Sequence, residues 1–326
     1  MGVVLATSRS FSSGSVDLVA RLAAAGHEVV RGPADHDLDA LAGLLPDAVG
    51  WVAGTGPVTA AHLDRAPRLR VIARYGVGFE AVDVEAATER GIVVTNTPGA
   101  NSDAVADHTV GLMLAVLRAT TEGDRRVRAG DWSVIRGREL GRLTVGIVGF
   151  GRIGQGVAKR LSGFGSRLRA SDPYLHESII SSLGAEPAEV TELASNCDVV
   201  TLHAPGGQTI VDAAWLGSAR PGLVIVNTAR PELVDESAVA SALQARRIGG
   251  FAADTLRGDT HGDDSPLLDP SIADRVIVTP HFGAQTVEAV DNMGSFAVDN
   301  LLAVLEGREP PHPVNHPTVT RDRGTP

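Results

Sequence analysis

Residues 144–172 constrain the fold more tightly than any other part of the chain. The short apolar run Thr144-Val145-Gly146-Ile147-Val148 leads directly into Gly149-Phe150-Gly151-Arg152-Ile153-Gly154, a G-x-G-x-x-G turn, and then into the helical stretch Gln155–Leu161. Three glycines alone would also suit a turn that binds nothing. Here a second strand, Arg167–Ser171, follows the helix and ends at Asp172, about 20 residues beyond the glycines, where dinucleotide-binding βαβ units carry an acid. In such a unit Gly149 permits the tight turn, Gly151 lets the backbone approach a pyrophosphate, and Gly154 lets the helix pack closely on the strand. The helix N-terminus offers N–H groups and partial positive charge to the phosphates. Asp172 is placed to accept hydrogen bonds from the adenosine ribose hydroxyls. A carboxylate there repels a 2′-phosphate, so the expected cofactor is NAD and not NADP.

The same alternation of strand and helix runs along the chain, which predicts an α/β protein with parallel sheets. Val3–Ala6, Glu28–Val30, Val49–Val52, Leu69–Arg74 and Ile92–Thr95 read as buried strands, and Ser15–Ala25 as a helix stopped by Gly26. Asn96-Thr97-Pro98-Gly99 breaks the pattern, and Asn101-Ser102-Asp103 opens an apolar-striped helix over Ala104–Arg118. The Arg-rich segment Thr121–Arg142, with Trp132, has no clear period and is expected to form an arm or a loop. Further strands are predicted at Thr144–Val148, Arg167–Ser171, Val199–Leu202, Leu223–Val226, Gly249–Ala253 and Val276–Thr279, then a helix over Gln285–Leu305 and an irregular tail from Arg308. A length of 326 residues suits about two such domains.

Composition removes several functions. Lys159 is the only lysine, so lysine-nucleophile and Schiff-base chemistry is nearly excluded. With a net charge of -10, general affinity for nucleic acid or an anionic membrane is not expected. Cys197 is the only cysteine, which rules out an intrachain disulfide and a cysteine-based metal site; no metal is expected. The chain opens on an apolar strand with no basic segment or signal-like run, and no apolar stretch is long enough to span a bilayer, so a soluble, cytoplasmic protein is expected.

Ordered motifs then carry a resemblance. They are Arg74-Tyr75-Gly76-Val77-Gly78, Asn96-Thr97-Pro98-Gly99, the glycine turn with Asp172-Pro173-Tyr174, Leu202-His203-Ala204-Pro205, Asn227-Thr228-Ala229-Arg230, Val234-Asp235-Glu236, Asp264-Ser265-Pro266-Leu267-Leu268 and Thr279-Pro280-His281-Phe282-Gly283-Ala284. Over about residues 45–306 the chain resembles the D-isomer-specific 2-hydroxyacid dehydrogenases, especially their phosphoglycerate dehydrogenase branch. The resemblance implies two doubly wound parallel-sheet domains. A Rossmann NAD domain, 100–284, would be inserted into a flavodoxin-like substrate domain, 1–99 and 285–326, with the active site in the cleft.

The implied reaction moves a hydride between NAD(H) and a small D-2-hydroxy or 2-keto acid. It needs a cation for the substrate carboxylate, a proton donor for the carbonyl oxygen, and a group that keeps the donor charged. By resemblance these are Arg230, His281 and Asp259. The backbone of Val77 and Gly78 would add a second carboxylate anchor, with Arg74 as a further anion contact. Cofactor contacts are implied for Val77, Gly149, Gly151, Arg152, Ile153, Gly154, Asp172, His203, Ala204, Pro205, Thr228, Ala229, Arg230, His281, Gly283 and Ala284. Asp254 would meet the nicotinamide carboxamide. The segment with Trp132 and the helix before it resemble the family's dimerisation arm, implying a homodimer.

The sequence also departs from the family. Asp259 stands where a glutamate is usual, shortening its reach by about 1.5 Å, against a geometric tolerance of about 0.5 Å in catalytic sites. Pro231 and Glu232 replace glycines after Arg230, the loop Gly206–Val211 is shortened, and Ala53 and Gly54 replace an arginine and a serine of the phosphoglycerate enzymes. No regulatory domain follows, so feedback control by an amino acid is not expected. Two other readings share the fold: a dehydrogenase of another small anion (a phosphonate-bearing hydroxyacid, phosphite or formate), and a non-enzymatic NAD-sensing protein like the related corepressors.

Overall fold

The structure is a computed structural model that describes residues 2–258 and 265–318. The chain divides into two compact units, 1–101 with 285–326, and 102–284. The second unit therefore interrupts the first in sequence, and Asn101 is the last residue before it.

The first unit opens with β1 (Gly2–Ala6), α1 (Leu18–Ala24), β2 (His27–Arg31), β3 (Ala48–Ala53), α2 (Ala60–Asp64), β4 (Val71–Arg74), α3 (Val84–Glu89) and β5 (Val93–Thr95). All strand pairs are parallel, in the order β2-β1-β3-β4-β5, the flavodoxin-like arrangement. Leu5, Trp51, Ile72 and Val94 are fully buried in its core. The apolar period suggested that α1 starts at Ser15. It starts instead at Leu18, because the Asp17 carboxylate accepts from Ala20 N at 2.9 Å and caps the first turn.

The second unit contains α4 (Ser102–Leu117), α5 (Thr120–Arg128), β6 (Thr144–Val148), α6 (Arg152–Ser162), β7 (Arg167–Ser171), α7 (Glu177–Ser182), β8 (Glu186–Pro187), α8 (Val190–Asn196), β9 (Val199–Leu202), α9 (Ala213–Gly217), β10 (Val224–Asn227), α10 (Glu236–Gln244), β11 (Gly250–Ala253) and β12 (Val276–Val278). Its seven-stranded parallel sheet runs β12-β11-β10-β9-β6-β7-β8. The order reverses between β6 and β9, the switch point at which open α/β sheets bind ligands. Two apolar clusters, one containing Leu202, Ile225 and Phe251 and the other Val145, Ile147 and Val226, enclose the sheet.

Of the segment 121–142, expected to form an arm or a loop, the part up to Arg128 is helical, in α5. It is polar on all sides and so carries no apolar period; its support comes from Glu122 with Arg125 and Arg126, and Asp124 with Arg128, at i+3 and i+4. From Asp131 to Glu139 the backbone has no regular structure, and Trp132 and Val134 are 79% and 95% exposed.

The chain returns to the first unit in α11 (Val287–Leu305), capped by Thr286 Oγ1 on Ala289 N at 3.1 Å. It lies against β3 and β4. The following segment is irregular through residue 318, but it is anchored: buried Asn315 accepts from Val94 N at 2.7 Å and donates to Ile92 O at 3.0 Å.

Candidate active site

Register brings most of the predicted residues to one edge of the second unit's sheet. Ser171, Val148, Leu202, Asn227, Ala253 and Val278 are paired side by side across six strands. Each strand then emits its next residue at the same edge: Asp172, Gly149, His203, Thr228, Asp254 and Thr279. Six motifs scattered over more than a hundred residues thus become one row.

The glycine turn is built for close backbone approach. Gly149 has φ +84, and a Cβ there would stand 2.6 Å from Ala204 N. A Cβ at Gly154 would collide with Gly149 O, whereas beside Gly151 nothing lies within 4 Å. Gly151 is the N-cap of α6 and has no side chain to satisfy the first turn, so the leading N–H groups of the helix face the open side. Asp172 braces the turn, accepting from Phe150 N at 2.7 Å and Tyr174 N at 2.9 Å. Each oxygen retains a further lone pair for a ribose hydroxyl. Arg169, the nearby cation that could neutralise a 2′-phosphate, pairs instead with Glu186 at 3.0 Å and Glu192 at 3.8 Å. These residues fit NAD.

At the end of β9, His203 Nε2 is 3.0 Å from Thr201 Oγ1, and its Nδ1 is sealed from solvent. Burial pushes the ring's pKa down to about 3, so the imidazole is neutral.

Asp254 is the organising group at the other end of the row. It is 4% exposed. Its Oδ1 accepts from Phe282 N at 3.1 Å and from the Thr279 hydroxyl, and its Oδ2 accepts from Gly283 N at 2.8 Å. Burial opposes its charge, but the hydrogen bonds from His108, Thr279 and Gly283 outweigh it and hold the carboxyl below the usual range. The same bonds fix the turn that carries His281. His281 has φ +52, a left-handed conformation that a non-glycine residue adopts only under constraint. Its N donates to Thr279 O at 2.9 Å, and its side chain stands on the exposed side.

Two strands away, Asn227 does for Arg230 what Asp254 does for His281. Buried Asn227 accepts from Ala229 N at 3.0 Å and donates to Arg230 O at 2.8 Å, pinning the turn from both sides. Arg230 is half-buried and donates to Ala229 O at 2.9 Å. Glu232 lies beside Gly206, whose Cβ would stand 3.3 Å from its Oε2. Neither His108 nor Asn227 was singled out as a site residue in the sequence; only the motif position of Asn227 signalled it.

In the first unit, Arg74 is 9% exposed and directs its guanidinium to Tyr75 O and Ala53 O, which makes it a brace for its own loop. The neighbouring backbone is held by Gly76 N on Thr97 Oγ1 at 3.1 Å and Asn96 Nδ2 on Val77 O at 2.8 Å. Among the described residues, the N–H groups of Val77 and Gly78 have no hydrogen-bond partner. Asp259 lies outside the described residues. Among the described residues no group of three or more His, Cys, Asp or Glu could hold a metal ion, and no helix is long and apolar enough to cross a membrane.

The reversing parallel sheet with its glycine turn and Asp172 defines a dinucleotide-binding α/β protein. Comparison with known proteins takes this further. The family model described as "D-isomer specific 2-hydroxyacid dehydrogenase, NAD binding domain" matches residues 110–283. A D-3-phosphoglycerate dehydrogenase of Mycobacterium leprae is 38% identical over 90% of this chain and 56% of its own length. A glyoxylate reductase of Korarchaeum cryptofilum is 35% identical over 87% of this chain and 84% of its own. A crystal structure of a Thermus thermophilus protein superposes with a TM-score of 0.86 at 36% identity, covering 96% of this chain and all of that one. The chain belongs to the D-isomer-specific 2-hydroxyacid dehydrogenase family, and its cofactor is NAD. It spans about half the length of the phosphoglycerate dehydrogenases it matches.

Proposed function

We propose that the protein transfers a hydride reversibly between NAD(H) and a small D-2-hydroxy or 2-keto acid. The observation that carries this reading is that both Arg230 and His281, the latter in a left-handed turn held by a buried carboxylate, follow strands ending at the sheet edge that holds the glycine turn. Bound NADH supplies the hydride to the carbonyl carbon. The Arg230 guanidinium pairs with the substrate carboxylate and polarises the carbonyl. His281 donates its proton to the carbonyl oxygen as the C–H bond forms, and takes it back from the hydroxyl in oxidation. Asp259 is the residue that the resemblance assigns to support His281.

The relatives' names point to two substrates, phosphoglycerate and glyoxylate. Ala53 and Gly54 offer no cation, and Arg74 is turned to backbone carbonyls. We therefore favour a keto acid without a phosphate group. Trp132 and Val134 expose apolar surface of the kind a second copy covers, and we propose a homodimer in the cytoplasm.

The test is NADH consumption over a panel of 2-keto acids, repeated with NADPH. Turnover of one or more unphosphorylated keto acids with NADH preferred is the expected result. Activity confined to phosphite or formate would overturn the substrate class, and NADH binding without turnover of any compound would overturn the enzymatic reading.

A further inference from the structure

Helix α4 precedes the glycine turn in sequence and contains none of the residues the motifs single out. Yet two adjacent side chains on it reach the two turns that carry the proposed chemistry. His108 Nε2 is 3.0 Å from Thr279 Oγ1 and 3.4 Å from Asp254 Oδ1. The ring lies against Phe282, with centroids 5.0 Å apart, and a Cβ on Gly283 would stand 3.2 Å from its Cδ2. Next to it, fully buried Thr109 has its Oγ1 2.8 Å from that of Thr228.

Proton assignments follow from counting donors. The ionised Asp254 carboxylate can only accept, and Thr279 has one hydroxyl proton, which it gives to Asp254 Oδ1. His108 must therefore carry its proton on Nε2 and donate to Thr279. Likewise Thr109 gives its proton to Val105 O at 2.7 Å, so Thr228 is the donor in the hydroxyl pair. One chain of bonds runs from α4 through Thr279 and Asp254 to the His281 turn. The other runs from α4 to Thr228, next to the Asn227 side chain that pins Arg230. The helix lies against β10, β11 and β12.

We infer that His108 and Thr109 are positioning residues that set the His281 and Arg230 turns in register with each other from one rigid helix. The inference rests on the proposed hydride transfer, in which the acid and the cation must meet one substrate. Misplacement by about 1 Å in such a site reduces turnover by up to about 100-fold. Neither residue touches a reacting atom; each works through the turn it holds.

The experiment compares wild type with His108→Leu, His108→Gln, Thr109→Val and the double variant His108→Leu/Thr109→Val. It measures kcat and KM for the keto acid at saturating NADH, NADH affinity by fluorescence, and Tm. Glutamine can place an amide N–H near the position of Nε2. The expected result is a kcat loss of about tenfold or more in His108→Leu and Thr109→Val, with KM changed less than about twofold. His108→Gln recovers most of the loss, and the double variant loses less than the product of the singles, because both anchors fix one distance. Single variants within about twofold of wild-type kcat, or a glutamine variant no better than leucine, would overturn the inference. If wild type turns over no 2-keto acid, the hydride-transfer reading fails separately. Positioning is then read from the ring resonances of His281 by NMR: a shift in His108→Leu that His108→Gln reverses supports it, and unchanged resonances overturn it.

Discussion

Asp254 shows how much a single carboxylate can do at the residue scale. Beside the nicotinamide contact that the resemblance implies, its two oxygens serve Thr279, Phe282, Gly283 and His108. Those bonds keep His281 in its left-handed conformation. Glycine positions, Arg230 and His281 were legible because a turn and a charge each leave a letter in a motif. His108, and Asp254's grip on the turn, were not, because their contacts join residues far apart in sequence and no local pattern records them. Asp259 carries the residue-scale prediction. Replacing it with asparagine should lower kcat and shift its pH dependence, since the amide cannot favour a charged imidazole, while Asp259→Glu should keep or raise kcat. Steady-state kinetics across pH decides this, and unchanged kinetics in the asparagine variant would remove Asp259 from the mechanism.

Among elements, the strands other than β8 were legible to within about two residues, because parallel strands buried on both faces read as short Val/Ile runs; the two-residue edge strand β8, Glu186–Pro187, has no such run. Helix α5 was missed because its stabilisation is ionic. The tail was expected to be irregular, and through residue 318 it has no helix or strand; it is tied to β5 by the Asn315 side chain and by Val314 N on Val94 O at 2.8 Å, contacts that composition does not record. The ends of β1 and β3 hold a further buried network. His36 is 1% exposed, with Nε2 2.6 Å from Thr7 Oγ1 and Nδ1 3.1 Å from Pro57 O, and the Trp51 indole donates to the same hydroxyl at 2.9 Å. Burial pushes the His36 pKa down to about 4 from 6.5. Folding therefore favours the neutral ring, and the unfolded chain takes up the proton first as pH falls. The stabilisation is complete above about pH 6.5 and is lost between there and about pH 4, on the order of 3 kcal/mol at about 1.4 kcal/mol per pH unit. Urea unfolding across this range should show stability falling with pH in wild type and a flatter slope in His36→Asn; equal slopes would contradict the assignment.

At the scale of the whole molecule, the nesting of one unit inside the other in sequence means that residues 1–101 and the helix after the His281 turn belong to the same unit. A single glycine motif pointed to the cofactor, whereas no motif in the sequence names the substrate. The exposed Trp132 and Val134 predict association, and light scattering should give twice the mass of one chain; a monomer would contradict that. The central claim is that a hydride passes directly between NADH and the carbon of a 2-keto acid. The most direct measurement uses NADH carrying deuterium at the transferable C4 position with a 2-keto acid that the protein reduces, and examines the product by chiral separation and mass spectrometry. One deuterium is expected at C2 of the D-2-hydroxy acid. A product without deuterium, or the L enantiomer, would contradict it.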